Sequence, residues 1–269
     1  MILVTGASGA LGRLIVKGLA DRDDVVIGSR TPEHGRRRID FDDPATLLEG
    51  FRGIDILLLI SAGYGEDDVV IARHEAAISA AEKAGVGHIV YTSLSRDGDH
   101  LTYALPHRWT ERRLQRGTTA WTILRNGLYA EFFGGLTIPD ADGTITAPLG
   151  DGRLSAVCRE DLADVAVKVT LEAAAHAGRT YELVGEEAIG GADVAAALGA
   201  TYEPVTLAEA RAAIAGLGLE PFQEPMIMST YSSIAGGFMS GTAGDLRTLL
   251  GGEPRNALDV IAPNRPTRS

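Results

Sequence analysis

Thr5-Gly6-Ala7-Ser8-Gly9-Ala10-Leu11-Gly12 is a glycine-rich loop that follows the apolar run from Met1 to Val4 and opens an amphipathic helix. Gly6 permits a tight turn, Gly9 lets the backbone approach a pyrophosphate, and Gly12 lets the helix pack against the strand. The free N–H groups of the helix N-terminus then face the anion. The loop therefore predicts a dinucleotide-binding unit, with cofactor contacts at Thr5, Gly6, Ser8, Gly9, Ala10, Leu11 and Gly12.

Short apolar runs typical of strands alternate with amphipathic stretches of helical length through the first half of the chain. We therefore predict an α/β fold, a Rossmann-type doubly wound parallel sheet, with ligands at the carboxyl ends of its strands. The predicted strands are Ile2–Thr5, Val25–Gly28, Arg38–Asp40, Asp55–Ile60, His88–Thr92, Trp121–Leu124 and Arg179–Leu183. The predicted helices are Leu11–Ala20, Pro44–Glu49, Asp67–Ala84, His107–Gln115 and Glu160–Ala174, followed by helical stretches near 191–198, 206–216 and 242–250.

The pattern loosens after Asn126 into segments that contain glycine and proline. We expect residues 1–130 to form an NAD(P)-binding core, residues 131–262 a small C-terminal substrate lobe with elements that return to the core, and residues 263–269 a disordered tail. Within the lobe, the apolar stretch Pro221–Met239 is interrupted by Pro225, Gly236 and Gly237. The stretch predicts either loop residues packed onto a core or a substrate lid that excludes water.

Composition and charge exclude several classes of function. The 269 residues carry 25 Lys and Arg against 36 Asp and Glu, a net charge of −11, so counterion release cannot drive nucleic-acid binding. The single cysteine, Cys158, excludes disulfides and zinc fingers, and we expect it to be buried. No metal site is predicted, because His74-Glu75 is followed by Ile78 where a zinc helix needs its second histidine. No apolar run approaches the roughly 20 residues of a membrane span, so we expect a cytoplasmic protein without membrane insertion.

The end of the second predicted strand indicates which dinucleotide binds. An NAD enzyme usually has an acidic residue there for the ribose 2′-hydroxyl, but this chain has Ser29-Arg30-Thr31. The guanidinium of Arg30 suits a 2′-phosphate, so we expect NADPH, while nearby Glu33 leaves the use of NADH open. Further cofactor contacts are expected around the adenine and the ribose, at Asp40, Phe41, Ile60, Ser61 and Ala62.

The G-x-x-G-x-x-G spacing of the loop resembles that of the short-chain dehydrogenases. The sequence lacks the standard proton donor of those enzymes. That donor is a tyrosine in a Tyr-x-x-x-Lys pattern, and the lysines of this chain are Lys17, Lys83 and Lys168. The residues four positions before them are arginine, serine and aspartate, so no such pair exists. Tyr103 has His107 at the fourth position instead.

Several blocks of sequence carry a resemblance to a known family. They are Tyr91-Thr92-Ser93-Leu94, His107 with Thr110-Glu111, the stretch from Thr122 to Glu131, Arg159-Glu160-Asp161-Leu162-Ala163 and Tyr181-Glu182-Leu183. These blocks resemble the NmrA-like atypical short-chain dehydrogenases and, within them, the type 2 NAD(P)H:quinone oxidoreductases. The Leu-Arg-Asn-Gly-x-Tyr-x-Glu pattern is the most specific of them. The chain departs from the family in the short stretch between Arg30 and Arg38 and in Pro221–Gly237, which carries no matching motif.

The resemblance implies roles for individual residues. The loop Gly6–Gly12 and Arg30 would hold NADPH. The residues around the nicotinamide and the substrate would be Thr92, Ser93, His107, Asn126, Gly127, Leu128 and Tyr129. Among these, His107, Asn126 and Tyr129 are the catalytic candidates.

These features predict an NADPH-dependent oxidoreductase that transfers hydride to a quinone or a similar conjugated acceptor. Hydride addition to a simple ketone forms a strongly basic alkoxide, which needs a strong positioned acid. A quinone yields a phenolate with a pKa of about 10, which water can protonate, so orientation and a dry pocket suffice. His107, Asn126 or Tyr129 would then donate a hydrogen bond to the developing oxyanion.

Two alternatives stay open. One is a reductase of another activated C=C, C=N or ketone group in a biosynthetic pathway. The other is a non-catalytic NADP(H)-binding redox sensor that regulates a partner protein, although the retained Asn-Gly-x-Tyr block favours turnover. The expected partner is a small aromatic or quinone-like substrate, and the sequence leaves a homodimer open.

Overall fold

The structure is a computed structural model that describes residues 1–31, 35–62 and 64–263. Glu33 and residues 264–269 of the expected tail lie outside the described residues. The chain divides into two units. Unit 1 comprises Met1–Leu94, Leu105–Arg125 and Leu162–Tyr181, and unit 2 comprises Ser95–Ala104, Asn126–Asp161 and the chain from Glu182 onward. The expected division into 1–130 and 131–262 stays a prediction.

The central sheet confirms the predicted fold class. The strands are β1 (Ile2–Val4), β2 (Val25–Ser29), β3 (Arg37–Arg38), β4 (Ile56–Ile60), β5 (His88–Leu94), β6 (Ala120–Asn126), β7 (Thr144–Ala147), β8 (Arg153–Leu154), β9 (Arg179–Leu183), β10 (Ile189–Gly190) and β11 (Thr201–Pro204). Seven of them form one sheet in the order β3, β2, β1, β4, β5, β6, β9. Leu3 pairs in parallel with Val26 on one side and with Leu57 on the other. The order therefore reverses beside β1, as in a doubly wound sheet.

The helices that follow the central strands are close to those predicted from the sequence. The helices are α1 (Ala10–Gly18), α2 (Ala45–Gly50), α3 (Asp67–Ala84), α4 (Ala104–Arg116), α5 (Ala130–Leu136), α6 (Arg159–Leu171), α7 (Gly191–Leu198), α8 (Leu207–Ile214), α9 (Gln223–Ala235), α10 (Leu246–Leu250) and α11 (Ala257–Ile261). Short 3₁₀ turns cover Arg96–His100 and Ala173–His176. Helix α4 begins three residues before the predicted start, because Pro106 lies in its first turn, where a missing N–H costs nothing.

The core of unit 1 explains why its strands are apolar throughout. Strands of a parallel sheet are covered on both faces, so neither face of β4 needs polar residues. Leu57 and Leu59 pack with Phe51, Ile78 and Tyr91 in one buried cluster. Tyr91 is the largest fully buried side chain among the described residues, and its hydroxyl therefore needs partners inside the protein.

The structure corrects the prediction for Pro221–Met239. Helix α9 occupies most of this stretch, and Pro225 is its third residue. An N–H at that position has no partner within the helix, so proline does not interrupt it. The helix ends at Ala235, just before Gly236 and Gly237, and the latter has a φ of 77°. Of the two predicted alternatives, the loop is therefore wrong and the lid stays a prediction. The apolar side chains of the stretch that are buried, as expected, are Met228, Tyr231, Ile234 and Met239.

Cys158 is buried, as predicted, with 1% of its surface exposed. Its thiol lies 3.6 Å from the carbonyl oxygen of Arg255 and donates a hydrogen bond to it. Burial raises the pKa of Cys158 to about 12. In the part of the chain that the structure describes, no helix has the length and apolar character needed to cross a membrane. The described side chains also include no cluster of three or more His, Cys, Asp or Glu arranged to bind a metal ion.

Candidate active site

The glycine-rich loop has the shape that a pyrophosphate needs. Gly6 has a φ of 62°, and the N–H of Gly9 donates to the carbonyl oxygen of Gly6 at 3.0 Å. A Cβ on Gly12 would lie 2.2 Å from that same oxygen, so only glycine fits. No side chain caps the N-terminus of α1, which leaves its first N–H groups available to an anion. These features fit the pyrophosphate of a dinucleotide.

The loop residues divide into exposed and buried groups. Ser8, Gly9 and Ala10 are exposed and within reach of a ligand, whereas Leu11 is buried. Thr5 is also buried, and its hydroxyl donates to the carbonyl of Leu58 and accepts from the N–H of Ile60 at 3.1 Å. The side chain of Thr5 therefore joins β1 to β4 within the protein, and its hydroxyl already has two partners.

Arg30 follows β2 and is exposed, and it forms no hydrogen bond or ion pair with another described residue. A carboxylate lies in the same region, but Asp42 is held by Arg73 through contacts of 2.6 Å and 2.9 Å to its two oxygens. The hydrogen bonds from Arg73 keep the pKa of Asp42 below its ordinary value. Among the described residues the guanidinium of Arg30 thus has no partner, as a residue that recognises a 2′-phosphate requires.

The two residues predicted to bracket the adenine have partners of their own. Asp40 accepts a hydrogen bond from the N–H of Asp42 at 3.1 Å. Phe41 is half-buried and packs against the core of unit 1. One face of this turn is therefore fixed by the fold, and the adenine contact itself stays a prediction.

The backbone at the end of β4 is held by two side chains. The N–H of Ser61 donates to Thr92 Oγ1 at 3.0 Å, and the N–H of Ala62 donates to His74 Nε2 at 2.9 Å. Gly6 packs directly against Ile60, since a Cβ at Gly6 would lie 3.1 Å from the Cβ of Ile60. The glycine loop and the Ile60–Ala62 turn are thus neighbours in unit 1, as the prediction requires.

His74 is fully buried in α3, and both of its ring nitrogens are hydrogen-bonded. Nε2 accepts from Ala62, so Nδ1 carries the proton and donates to Thr110 Oγ1 at 2.8 Å. Thr110 in turn donates to the carbonyl of Pro106 at 2.7 Å. Burial lowers the pKa of His74 to about 3, so the ring is neutral at ordinary pH. This histidine links the β4 turn to the first turn of α4.

His107 is half-buried in α4 and is bonded through one nitrogen. Its Nδ1 lies 2.9 Å from the hydroxyl oxygen of Tyr91, and Nε2 forms no hydrogen bond with a described residue. Burial, reinforced by the positive charge of Arg108, lowers the pKa of His107 to about 3. Burial also raises the pKa of Tyr91 above its usual value. The pair is therefore a neutral phenol beside a neutral imidazole.

Thr92 and Ser93 use their hydroxyl groups within the protein. Thr92 Oγ1 accepts from Ser61, and Ser93 Oγ donates to Glu111 at 2.6 Å. Glu111 is buried and also binds Arg125, with contacts of 2.9 Å and 2.6 Å to its two oxygens. Burial raises the pKa of Glu111, but the hydrogen bonds from Arg125 and Ser93 outweigh it and hold that pKa below its usual range. The network fixes α4 against β5 and β6.

Asn126, Gly127, Leu128 and Tyr129 lie in unit 2. The N–H of Gly127 donates to the carbonyl of Leu183 at 2.8 Å, and Leu128 accepts from Val157 at 3.0 Å. Asn126 is buried, and its Oδ1 has no hydrogen-bond partner among the described residues. Burial raises the pKa of Tyr129, against the opposing effect of a hydrogen bond from Asn126.

Burial limits the acidity of two tyrosines of unit 2, and their polar neighbours offset only part of that effect. The guanidinium of Arg159 lies 4.8 Å from the ring centre of Tyr129. Tyr103 Oη lies 3.3 Å from Thr230 Oγ1, and burial raises the pKa of Tyr103 to about 12. Tyr103 therefore bonds within its own unit and is a poor proton donor, although His107 follows it by four positions in sequence.

Sequence reasoning missed Tyr91, His74 and Glu111 as parts of the site. Tyr91 occurs in one of the family-like blocks and could have been selected from it. In the sequence, His74 stands out only as the first half of an incomplete zinc motif. Each of these side chains also bonds to a residue on another element, and no local pattern identifies those partners. Within unit 1 the structure brings together the glycine loop, the β4 turn, Thr92 and, through His74 and Thr110, the helix that carries His107.

Comparison with known proteins identifies a matching family and similar enzymes. A family model described as NAD(P)H-binding matches residues 6–173. Quinone oxidoreductase 2 of Escherichia coli (strain K12) is 32% identical over 96% of this chain and 96% of its own length. The NAD(P)H azoreductase of Xenophilus azovorans is 27% identical over 90% of each chain.

Solved structures are similar over nearly the whole chain. The NADPH complex of the quinone oxidoreductase QOR2 from Escherichia coli has a TM-score of 0.87 at 29% identity and covers 98% of this chain and 99% of its own. The triphenylmethane reductase of Citrobacter sp., complexed with NADP(H), has a TM-score of 0.87 at 28% identity and covers 96% and 98%. The negative transcriptional regulator NmrA, in complex with NAD, is 14% identical with a TM-score of 0.76, a likeness of fold alone.

Proposed function

This chain belongs to the NAD(P)H-binding, NmrA-like family of atypical short-chain dehydrogenases and is an NAD(P)H-dependent oxidoreductase of the quinone reductase and azoreductase type, and we propose that it transfers hydride from NADPH to a quinone or a similar conjugated acceptor. The relatives named for quinone reduction support the choice of acceptor. The absence of a Tyr-x-x-x-Lys pair also supports a quinone-like acceptor, because reduction of such an acceptor does not require a strong acid in the protein.

The observation that carries the proposal is the state of His107. The imidazole is neutral, is held on Nδ1 by Tyr91, and has an Nε2 that forms no hydrogen bond with any described residue. A neutral imidazole can donate a hydrogen bond to an oxyanion but is a weak source of protons at neutral pH. Such a group suits the phenolate-like oxygen that forms on a quinone, whereas an alkoxide from a simple ketone needs full proton transfer.

NADPH, when bound, supplies the hydride. The glycine loop would hold its pyrophosphate, Arg30 its 2′-phosphate, and the backbone of Ile60, Ser61 and Ala62 its ribose. Thr92 and His74 keep that backbone in place through their hydrogen bonds to Ser61 and Ala62. The backbone proposed to hold the cofactor is therefore organised before a ligand arrives, which lowers the entropy cost of orientation.

Asn126 and Tyr129 are proposed as substrate-facing residues on the strength of the family resemblance. The buried Oδ1 of Asn126 has no hydrogen-bond partner among the described residues, and a buried amide oxygen without a partner is costly. A ligand N–H or O–H group would satisfy it. The role of Gly127 and Leu128 in lining the nicotinamide is proposed on the same basis.

The azoreductase relative supports a second candidate, an activated N=N or C=N acceptor, which would share the same hydride donor. The remaining alternative is a redox sensor that binds NADP(H) without turnover. Each candidate makes a different prediction for the purified protein.

The test is oxidation of NADPH, followed at 340 nm, with a benzoquinone and, separately, with an azo dye. A Gly9→Val variant, whose side chain blocks the approach of the loop backbone to the pyrophosphate, serves as the control without cofactor binding. We expect turnover of the quinone by the wild-type protein and none by the variant. Tight NADPH binding without oxidation by either acceptor would overturn the enzymatic proposal in favour of a sensor. Turnover of the azo dye but not of the benzoquinone would overturn the quinone as the proposed acceptor in favour of an N=N group.

A further inference from the structure

Among its described residues, unit 1 contains two tyrosine–histidine hydrogen bonds of nearly the same length. Tyr91 Oη lies 2.9 Å from His107 Nδ1, and Tyr181 Oη lies 2.8 Å from His176 Nδ1. In the second pair, Nε2 of His176 is buried and lies 3.7 Å from the carboxylate of Glu172. In the first pair, Nε2 of His107 has no protein partner among the described residues. The two pairs therefore share their chemistry and differ in what the second ring nitrogen can do.

The tautomer of His107 follows from counting donors around Tyr91. The ring of Tyr91 lies between His74 and His107, with centroid distances of 5.5 Å and 6.2 Å. His74 cannot accept from Tyr91, because its Nε2 accepts from Ala62 and its Nδ1 donates to Thr110. The hydrogen of Thr110 is already directed at the carbonyl of Pro106.

The hydrogen of Tyr91 then has two kinds of acceptor, a hydroxyl oxygen of Ser61 or Thr110 and the imidazole nitrogen of His107. An imidazole nitrogen is far more basic than a hydroxyl oxygen, and it lies at 2.9 Å. Tyr91 therefore donates to Nδ1 of His107. The single proton of the neutral ring must then be on Nε2.

We propose that Tyr91 is a positioning residue that holds His107 in the Nε2–H tautomer, so that the ring presents a neutral N–H donor to the oxygen that becomes negative when hydride is transferred. The inference rests on the proposed function for its catalytic consequence, but the tautomer itself is a property of the protein alone. Tyr91 does not act as a proton relay, because burial disfavours the tyrosinate that a relay would create.

Nitrogen NMR of protein labelled with ¹⁵N in its histidine rings tests the tautomer directly. In the wild-type protein at neutral pH we expect the His107 proton on Nε2, with Nδ1 as a hydrogen-bonded acceptor, and the missing signals of a His107→Gln variant assign the ring. A Tyr91→Phe variant keeps the buried ring and removes the hydroxyl, so the Nδ1 resonance should move. A proton found on Nδ1 of wild-type His107, or an Nδ1 resonance unchanged by Tyr91→Phe, overturns the inference. The wild-type measurement stands even if the variant does not fold.

Steady-state kinetics test the catalytic consequence of the tautomer. The matched control is Tyr181→Phe, which also removes a tyrosine–histidine hydrogen bond. We expect Tyr91→Phe to lower kcat for quinone reduction about tenfold, as loss of an orienting partner does, while the Kd for NADPH stays within about twofold. Tyr181→Phe should leave kcat unchanged. Equal losses in both variants would indicate a structural effect and overturn the positioning role. If no acceptor is reduced by the wild-type protein while the spectrum shows Nε2–H, the proposed function fails and the tautomer assignment survives.

Discussion

His74 and His107 are neutral histidines on neighbouring helices of unit 1, and they differ in how many ring nitrogens the protein uses. Both nitrogens of His74 are bonded, one to Ala62 and one to Thr110. His107 is bonded only through Nδ1 among the described residues. A histidine with both nitrogens occupied can only support structure, whereas one with a nitrogen left over can act on a ligand. Burial and the lowered pKa are common to both, so those properties do not identify the functional residue.

The largest expected effect is on stability, at His74. Replacement by leucine leaves the N–H of Ala62 and the hydroxyl of Thr110 without their buried partner, so we expect the free energy of unfolding to fall by about 3 kcal/mol. Urea denaturation measures this. The exposed His100 is the control, because a leucine there should change stability by less than about 0.5 kcal/mol. Unchanged stability of His74→Leu would break the contrast between the two histidines.

The second effect is on catalysis, at His107. Replacement by alanine removes the hydrogen-bond donor proposed for the oxyanion, so we expect kcat for quinone reduction to fall about 100-fold with the Kd for NADPH unchanged. His107→Gln keeps an N–H group on a side chain of similar reach and should recover part of the loss. Steady-state kinetics and a fluorescence titration with NADPH measure the two quantities. Full turnover by His107→Ala would remove this histidine from the mechanism.

The third effect is the pH dependence of stability. The pKa of His74 is about 3 in the folded protein, below the value of about 6.5 expected when unfolded. Between these pH values His74 is protonated in the unfolded state but not in the folded state. The free energy of unfolding therefore decreases as the pH falls from about 6.5 towards 3, by up to about 1.4 kcal/mol per pH unit. The leucine variant lacks this loss. The stability difference between wild type and His74→Leu should therefore shrink as the pH falls, and a constant difference would contradict the lowered pKa.

The smallest effect extends the comparison to arginines. Arg73 is occupied by Asp42 and by the carbonyl of Tyr64, whereas Arg30 has no such partner among the described residues. Replacing Arg30 by alanine should raise the Kd for NADPH about tenfold and leave that for NADH unchanged. Arg22, an exposed arginine paired with Asp24, serves as the control. Equal weakening of both cofactors would show that Arg30 does not recognise the 2′-phosphate.

Local patterns were enough to predict the first half of the fold. The loop from Thr5 to Gly12 and helix α3, whose predicted bounds match the structure, depend on residues close in sequence. The pairing of β7 with β11 could not be predicted in this way, because Thr144 and Thr201 are distant in the chain and neither strand is strongly apolar. The sequence pattern does not predict helix α9, because Pro225 indicates a break unless it lies in the first turn of a helix, as it does here.

The candidate site was predictable in part for the same reason. Arg30 and the glycine loop belong to a pattern with a fixed spacing, and His107 belongs to a family-like block. The bonds that distinguish His107 from His74 join different elements: Tyr91 is on β5, Thr110 on α4 and Ala62 after β4. Such long-range contacts decide which ring nitrogen of a histidine is hydrogen-bonded. Local sequence patterns therefore do not predict it.

The burial of Cys158 has a consequence for a protein that handles quinones. A quinone is an electrophile that alkylates thiolates, and the thiolate is the reactive form of cysteine. Cys158, the single cysteine of the chain, is 1% exposed with a pKa raised to about 12, so almost none of it is ionised or accessible at neutral pH. The folded protein therefore offers its proposed substrate no sulfur nucleophile and is protected from alkylation at cysteine.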